Sequence, residues 1–135
     1  SASAACLGSG MMGRTILAAG GVLLLATAAI HAMGLPMASA WGEGLGRFQH
    51  LAICLFWIAA AVSWAVVAIL WAVTAWRRGP RWPAALAALI PLQSAAGVLY
   101  IDPTFFGGQM LAGSVVLGVL GLVLIGNGPR DSKPS

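Results

Sequence analysis

From Phe48 to Trp76 the chain runs for 29 residues without a charged side chain. Arg47 stands just before this stretch, and Arg77 and Arg78 follow it at once. As an α-helix it is roughly 40 Å long at about 1.5 Å per residue, enough to cross the ~30 Å hydrocarbon of a bilayer and enter both headgroup layers. The stretch also carries a stripe. His50, Trp57, Trp64 and Trp71 recur every seven residues, with Cys54, Ala61, Ala68 and Ala75 between them. A seven-residue period drifts only about 20° per heptad on a straight helix, so all eight positions share one face.

Composition agrees with lipid as the solvent. Of 135 residues, 60% are hydrophobic and 7% charged, with a mean hydropathy of +0.93. Soluble domains carry about 25% charged residues. The length suits one domain. A net charge of +4 would suit nucleic acid if the seven basic residues formed a patch with polar residues between them. They sit instead in the gaps between apolar runs, so nucleic acid is not expected as a partner. Cys6 and Cys54 lie in a tail and inside an apolar run, at different depths, so two free thiols are expected rather than a disulfide. The chain contains no CxxC and no glycine-rich phosphate loop.

In chain order, residues 1–13 are small, polar and unpatterned and read as a flexible tail. Arg14 opens a first span over 15–35, stopped by Pro36. A signal peptide competes with this reading, because Ala38-Ser39-Ala40 resembles a cleavage site. The apolar run exceeds the ~7–15 residues of a signal core, however, and His31 interrupts its end, so the span is expected to remain. Residues 36–47 form a loop with a short interfacial segment. The second span, 48–76, leaves through Arg77-Arg78-Gly79-Pro80-Arg81, a tight turn. A third span over 82–101 starts with Pro83, where a missing N–H costs nothing, and Pro91 predicts a kink in its middle. A fourth span over 105–125 follows Asp102-Pro103-Thr104, and 127–135 read as a flexible C-terminal tail. The expected fold is all-α: a polytopic membrane protein whose domain, residues 14–126, is an antiparallel bundle of four transmembrane helices.

Orientation follows from the basic residues. Four spans place Arg14, Arg77, Arg78, Arg81, Arg130 and Lys133 on one side and leave only Arg47 on the other, beside Glu43 and Asp102. Six of seven on one side predict N- and C-termini in the cytoplasm, with a bacterial inner membrane as the expected setting. The hairpins 14–76 and 82–125 show no internal repeat.

Lipid gives no hydrophobic drive between helices, so association depends on close backbone approach. Ser114, Gly118 and Gly121 on the fourth span, Gly20 below Thr27 and His31 on the first, and Ala84, Ala88 and Ala95 on the third supply small faces. The tryptophan stripe then reads first as packing against those faces. Its functional reading is an aromatic wall, through Trp57 and Trp64, for a flat apolar ligand such as a quinone, lipid or pigment. Trp76 and Trp82 flank the basic turn, where interfacial aromatics collect.

No Asp, Glu, Lys or Arg lies inside a span, which argues against a pump or ion-coupled transporter. Titratable groups gather at one end: His31, His50, Glu43, Arg47 and Asp102 on the exoplasmic side, with Gln93 and Tyr100 approaching from the third helix. His31 and His50 are candidate axial ligands of a haem b. With Cys54, Met33, Met37 and Met110 they form a soft set suited to copper or zinc. Glu43 or Asp102 with a histidine would suit acid–base work on a lipid at the outer interface. The bland reading has the histidines hydrogen-bonding across helices and the loop charges facing water. The function expected from sequence is a non-enzymatic accessory or binding subunit whose partner is another membrane protein, a second copy or an apolar ligand. The second expectation is a redox or metal protein using His31 and His50, and the third a lipid-modifying enzyme.

Overall fold

The structure is a computed structural model and describes residues 2–77 and 80–126. Its elements are α1 (Ala2–Met33), α2 (Leu35–Trp41), α3 (Arg47–Trp76), α4 (Trp82–Ala87), α5 (Leu89–Ile101) and α6 (Phe106–Gly126). Among the described residues no strand occurs. Four stretches are long and apolar enough to cross a membrane: Gly10–Met33, Arg47–Trp76, Trp82–Ile101 and Phe106–Gly126. The chain is therefore all-helical with four candidate spans, and its predicted C-terminal tail, like Arg78 and Gly79 of the basic turn, lies outside the described residues.

Both ends of the first span differ from the sequence reading. Helix α1 begins upstream of Arg14, and residues 10–13, read as tail, are helical. Nothing before Pro36 stops a helix there, and Gly13 packs its backbone against Ile125 and Leu124 of α6, a contact that offsets glycine's poor helix propensity. At the other end α1 stops at Met33 rather than Leu35. Pro36 cannot donate to the Ala32 carbonyl and its ring crowds that group, so the chain turns at Gly34. Pro36 then occupies the first turn of α2, where its missing N–H is no loss.

The kink expected at Pro91 appears as a one-residue interruption at Ala88, whose backbone stays in the helical region. Helix α4 ends at Ala87, and α5 resumes at Leu89. Pro91 leaves the Ala87 carbonyl without its usual donor four residues on, and the interruption falls one residue after it.

The core sits around α1. This helix packs most extensively on α6, then on α3, while α3 touches α4 and α5 only thinly. Gly20 meets the backbone of Gly118, and Leu17 packs on Gly121, so the first and last spans approach through their smallest residues. Leu17, Leu24, Val67, Trp71 and Leu111 are fully buried. The stripe on α3 is the buried face: Ala61, Trp64, Ala68, Trp71 and Ala75 are all inside. Hydroxyls inside the spans bond back to their own helices: Thr27 to the Leu23 carbonyl at 2.8 Å, Ser63 to Ala59 at 2.7 Å and Ser114 to Leu111 at 2.7 Å. Apolar surroundings offer these groups no other partner.

The contacts define two ends. At one, Gly13 meets Ile125, Arg14 Nη1 donates to the Ala75 carbonyl at 3.4 Å, and Arg81 lies over Gly126. At the other, α2 folds back on the start of α3, and Gly108 packs on Val98 and Leu99.

Candidate functional site

The second end carries the titratable groups. His31 lies in the last turn of α1, on the face that Gly20 and Thr27 turn inward. Its imidazole stacks on the Trp57 indole, with ring centroids 4.0 Å apart and planes at 13°. Trp64 meets the same ring at 4.7 Å, tilted by 56°. Trp41, from α2, approaches Trp57 edge-on at 5.7 Å and 82°. The tilted and edge-on arrangements of Trp64 and Trp41 are favoured aromatic geometries.

Trp57 also closes the end of α1. Its Nε1–H donates to the His31 carbonyl at 2.6 Å, and the Gly34 amide donates to the same oxygen at 2.9 Å. That carbonyl is one of the four that a helix C-terminus leaves unpaired, so the tryptophan and the turn together satisfy it. Gly34 is required here: a Cβ would come within 2.9 Å of the Trp57 ring.

The imidazole itself is less well served. His31 Nε2 is buried and has no hydrogen-bond partner among the described residues. A buried polar atom left unpaired costs about 1–3 kcal/mol, so native proteins keep few of them. Two indoles lie against the imidazole ring, and the two acidic residues of the described chain, Glu43 and Asp102, are exposed in the connections α2–α3 and α5–α6. What the cluster offers is one hydrogen-bonding atom inside an apolar, aromatic wall.

His50 is placed differently. Its Nε2 pairs with Ser39 Oγ at 3.0 Å, and its ring packs against Gly42. It precedes Trp57 by seven residues, about 10 Å along α3, so the two imidazoles are not brought to opposite sides of one iron. Among the described residues no three His, Cys, Asp or Glu side chains converge where one ion could bind. Cys54 is half-buried one turn beyond His50, and Met33 and Met37 point outward. The haem and soft-metal readings of His31, His50 and Cys54 thus find no assembled ligand set, because the seven-residue spacing that aligns the stripe also separates its members in depth.

Gln93 and Tyr100 are not part of the cluster. Both are exposed, Tyr100 to 91%, on the face of α5 turned away from the bundle. The residue that α5 does contribute is Ser94, whose Oγ accepts from Trp64 Nε1 at 3.3 Å while donating to the Ile90 carbonyl. Arg47 is exposed at the first turn of α3 and stays apart from the rings.

Sequence reasoning missed Trp41, Ser39, Gly34 and Ser94. The first three share a signal, a proline opening a short helix and a glycine just past its end, which marks Leu35–Trp41 as a helix that can fold back. Ser94 gave none. Further down the stripe Trp71 is fully buried, donates Nε1–H to the Ala84 carbonyl at 3.1 Å and packs on Gly118, a packing role.

The chain matches no family model, no curated protein and no solved structure.

Proposed function

We propose that this small integral membrane protein is a non-enzymatic binding subunit that holds a flat apolar ligand bearing one hydrogen-bonding atom, a quinone-type carbonyl compound, at the His31 cluster. The observation that carries the reading is the buried, unpartnered Nε2 of His31 beside Trp57 and Trp64. A ligand oxygen would satisfy that nitrogen, and Trp57, half-buried beside Trp41, would cover the ring system.

The proposal includes an arrangement in the bilayer. The four spans form an antiparallel bundle with both termini in the cytoplasm of a bacterial cell, in its inner membrane, and the His31 cluster toward the opposite face. Two features support this. Contacts between α1 and α6 run in descending register, Gly13 with Ile125, Leu17 with Gly121 and Gly20 with Gly118. Six of the seven basic residues then fall on the cytoplasmic side.

The test is what leaves the membrane with the protein. Mass spectrometry and absorbance of the purified sample should find an apolar carbonyl compound near one per chain. His31→Leu should remove most of it while helical content stays unchanged. A wild-type sample free of such compounds, or a ligand content indifferent to His31→Leu, would overturn the reading. A Soret band or stoichiometric metal would replace it with a redox centre.

A further inference from the structure

The opposite end of the molecule holds a second feature that the His31 cluster does not use. A cleft of about 400 Å³ lies between the start of α4 and the last turns of α6, lined by Arg81, Trp82, Ala85, Val119, Leu122 and Val123. That volume falls within the ~300–1,000 Å³ of ligand-sized clefts. The lining is divided along its length. Among the described residues Arg81 is the sole charged member, half-buried, its guanidinium over Gly126 at the last residue of α6. Below it Ala85, Val119 and Val123 form an open aliphatic trench, with Leu122 as its floor. From Gly126 to Val119 is seven residues, about 10 Å of descent into the hydrocarbon. Trp82 stands at the rim, 66% exposed, where interfacial indoles settle.

Charge selects the occupant. Arg14, Arg77 and Arg81 stand at this end, while Glu43 and Asp102, the acidic residues among those described, stand at the other. A cation above an apolar trench complements an anionic head above an aliphatic tail. A guanidinium also presents a planar fork that matches phosphate oxygens. We propose that the cleft binds an anionic glycerophospholipid, its phosphate on Arg81, its glycerol region beside Trp82 and one acyl chain along Ala85, Val119 and Val123.

Native mass spectrometry of the full chain in detergent tests this, with phosphatidylglycerol and phosphatidylcholine of identical acyl chains supplied together. Phosphatidylglycerol should be retained preferentially. Arg81→Gln should lower that preference about fivefold, equivalent to the ~1 kcal/mol an arginine near an anionic surface supplies. Val123→Phe, at a position 53% exposed and outside the core, should reduce retention of both lipids by filling the trench. Arg47→Gln, at the far end, should change neither. Equal retention of the two lipids by the wild type would overturn the proposal, as would an Arg81→Gln preference equal to the wild type's. Displacement of phosphatidylglycerol by an equal concentration of inorganic phosphate would also overturn it, because the trench would then add nothing to the head-group contact.

Discussion

The indole of Trp71 occupies the space that any side chain at position 118 would need. Gly118 is also where α6 meets Gly20 of α1, so one glycine admits a tryptophan from α3 and a backbone from α1. Gly118→Ala forces one of them outward. Overpacking of this kind costs about 1–3 kcal/mol. The variant should unfold at a clearly lower temperature in detergent, and a Tm equal to the wild type's would show that the three helices do not meet there.

Trp71 and Trp76 lie five residues apart on α3 and separate two roles for tryptophan. Trp71 is fully buried, whereas Trp76 is 85% exposed beside the basic turn. Trp71→Ala should cost about 3–5 kcal/mol through the void it leaves. Trp71→Phe should cost about 2–3 kcal/mol, less than alanine, because it loses both the bond to the Ala84 carbonyl and the distal ring packed on Gly118. Trp76→Ala should leave unfolding nearly unchanged. Denaturation of the three variants in one detergent ranks them, and a Trp76→Ala loss as large as that of Trp71→Ala would refute the assignment of the buried face.

Pro91 sets the break between α4 and α5. Pro91→Ala restores a donor for the Ala87 carbonyl and should join the two into one helix. Hydrogen exchange of the Leu89 and Ile90 amides beside the interruption should then slow. If exchange is unaltered, packing and not the proline imposes the break.

Asp102 closes the turn between α5 and α6. Its Oδ1 accepts from the Thr104 hydroxyl at 2.7 Å and the Thr104 amide at 2.9 Å, and these bonds hold the carboxyl below its ordinary value. A depressed carboxylate contributes stability that is fully present above its unfolded pKa and is lost as pH falls through the lower folded value. The Thr104 amide resonance should therefore titrate with a midpoint below the ordinary aspartate value. A midpoint at the ordinary aspartate pKa would mean the turn is not closed this way.

How far the sequence disclosed this molecule depends on the kind of signal. The stripe on α3 was legible because a strict seven-residue repeat can only be one face, and burial of Trp64, Trp71 and the alanines follows it. Gly20, Ser114, Gly118 and Gly121 were legible as small residues, but not which pairs would meet. Gln93 and Tyr100 show the limit: their spacing puts them on one face of α5, and that face points outward. A span that is apolar all round carries no amphipathic stripe to say which side is in. The His31 site was half legible, its residues named and its end of the bundle located. Its stacking on Trp57 depends on how α1 ends, and its link to Trp41 on a two-turn helix inside what reads as a loop.

All of this rests on lipid surrounding four spans whose arginine-rich ends share one face. The most direct test is impermeant maleimide labelling of single cysteines in intact cells, in a background carrying Cys6→Ser and Cys54→Ser. Glu43→Cys and Thr104→Cys should label from outside, and Pro80→Cys and Ser132→Cys only after the membrane is permeabilised. Labelling of Pro80→Cys and Ser132→Cys from opposite faces, or of all four only in a soluble fraction, would contradict it.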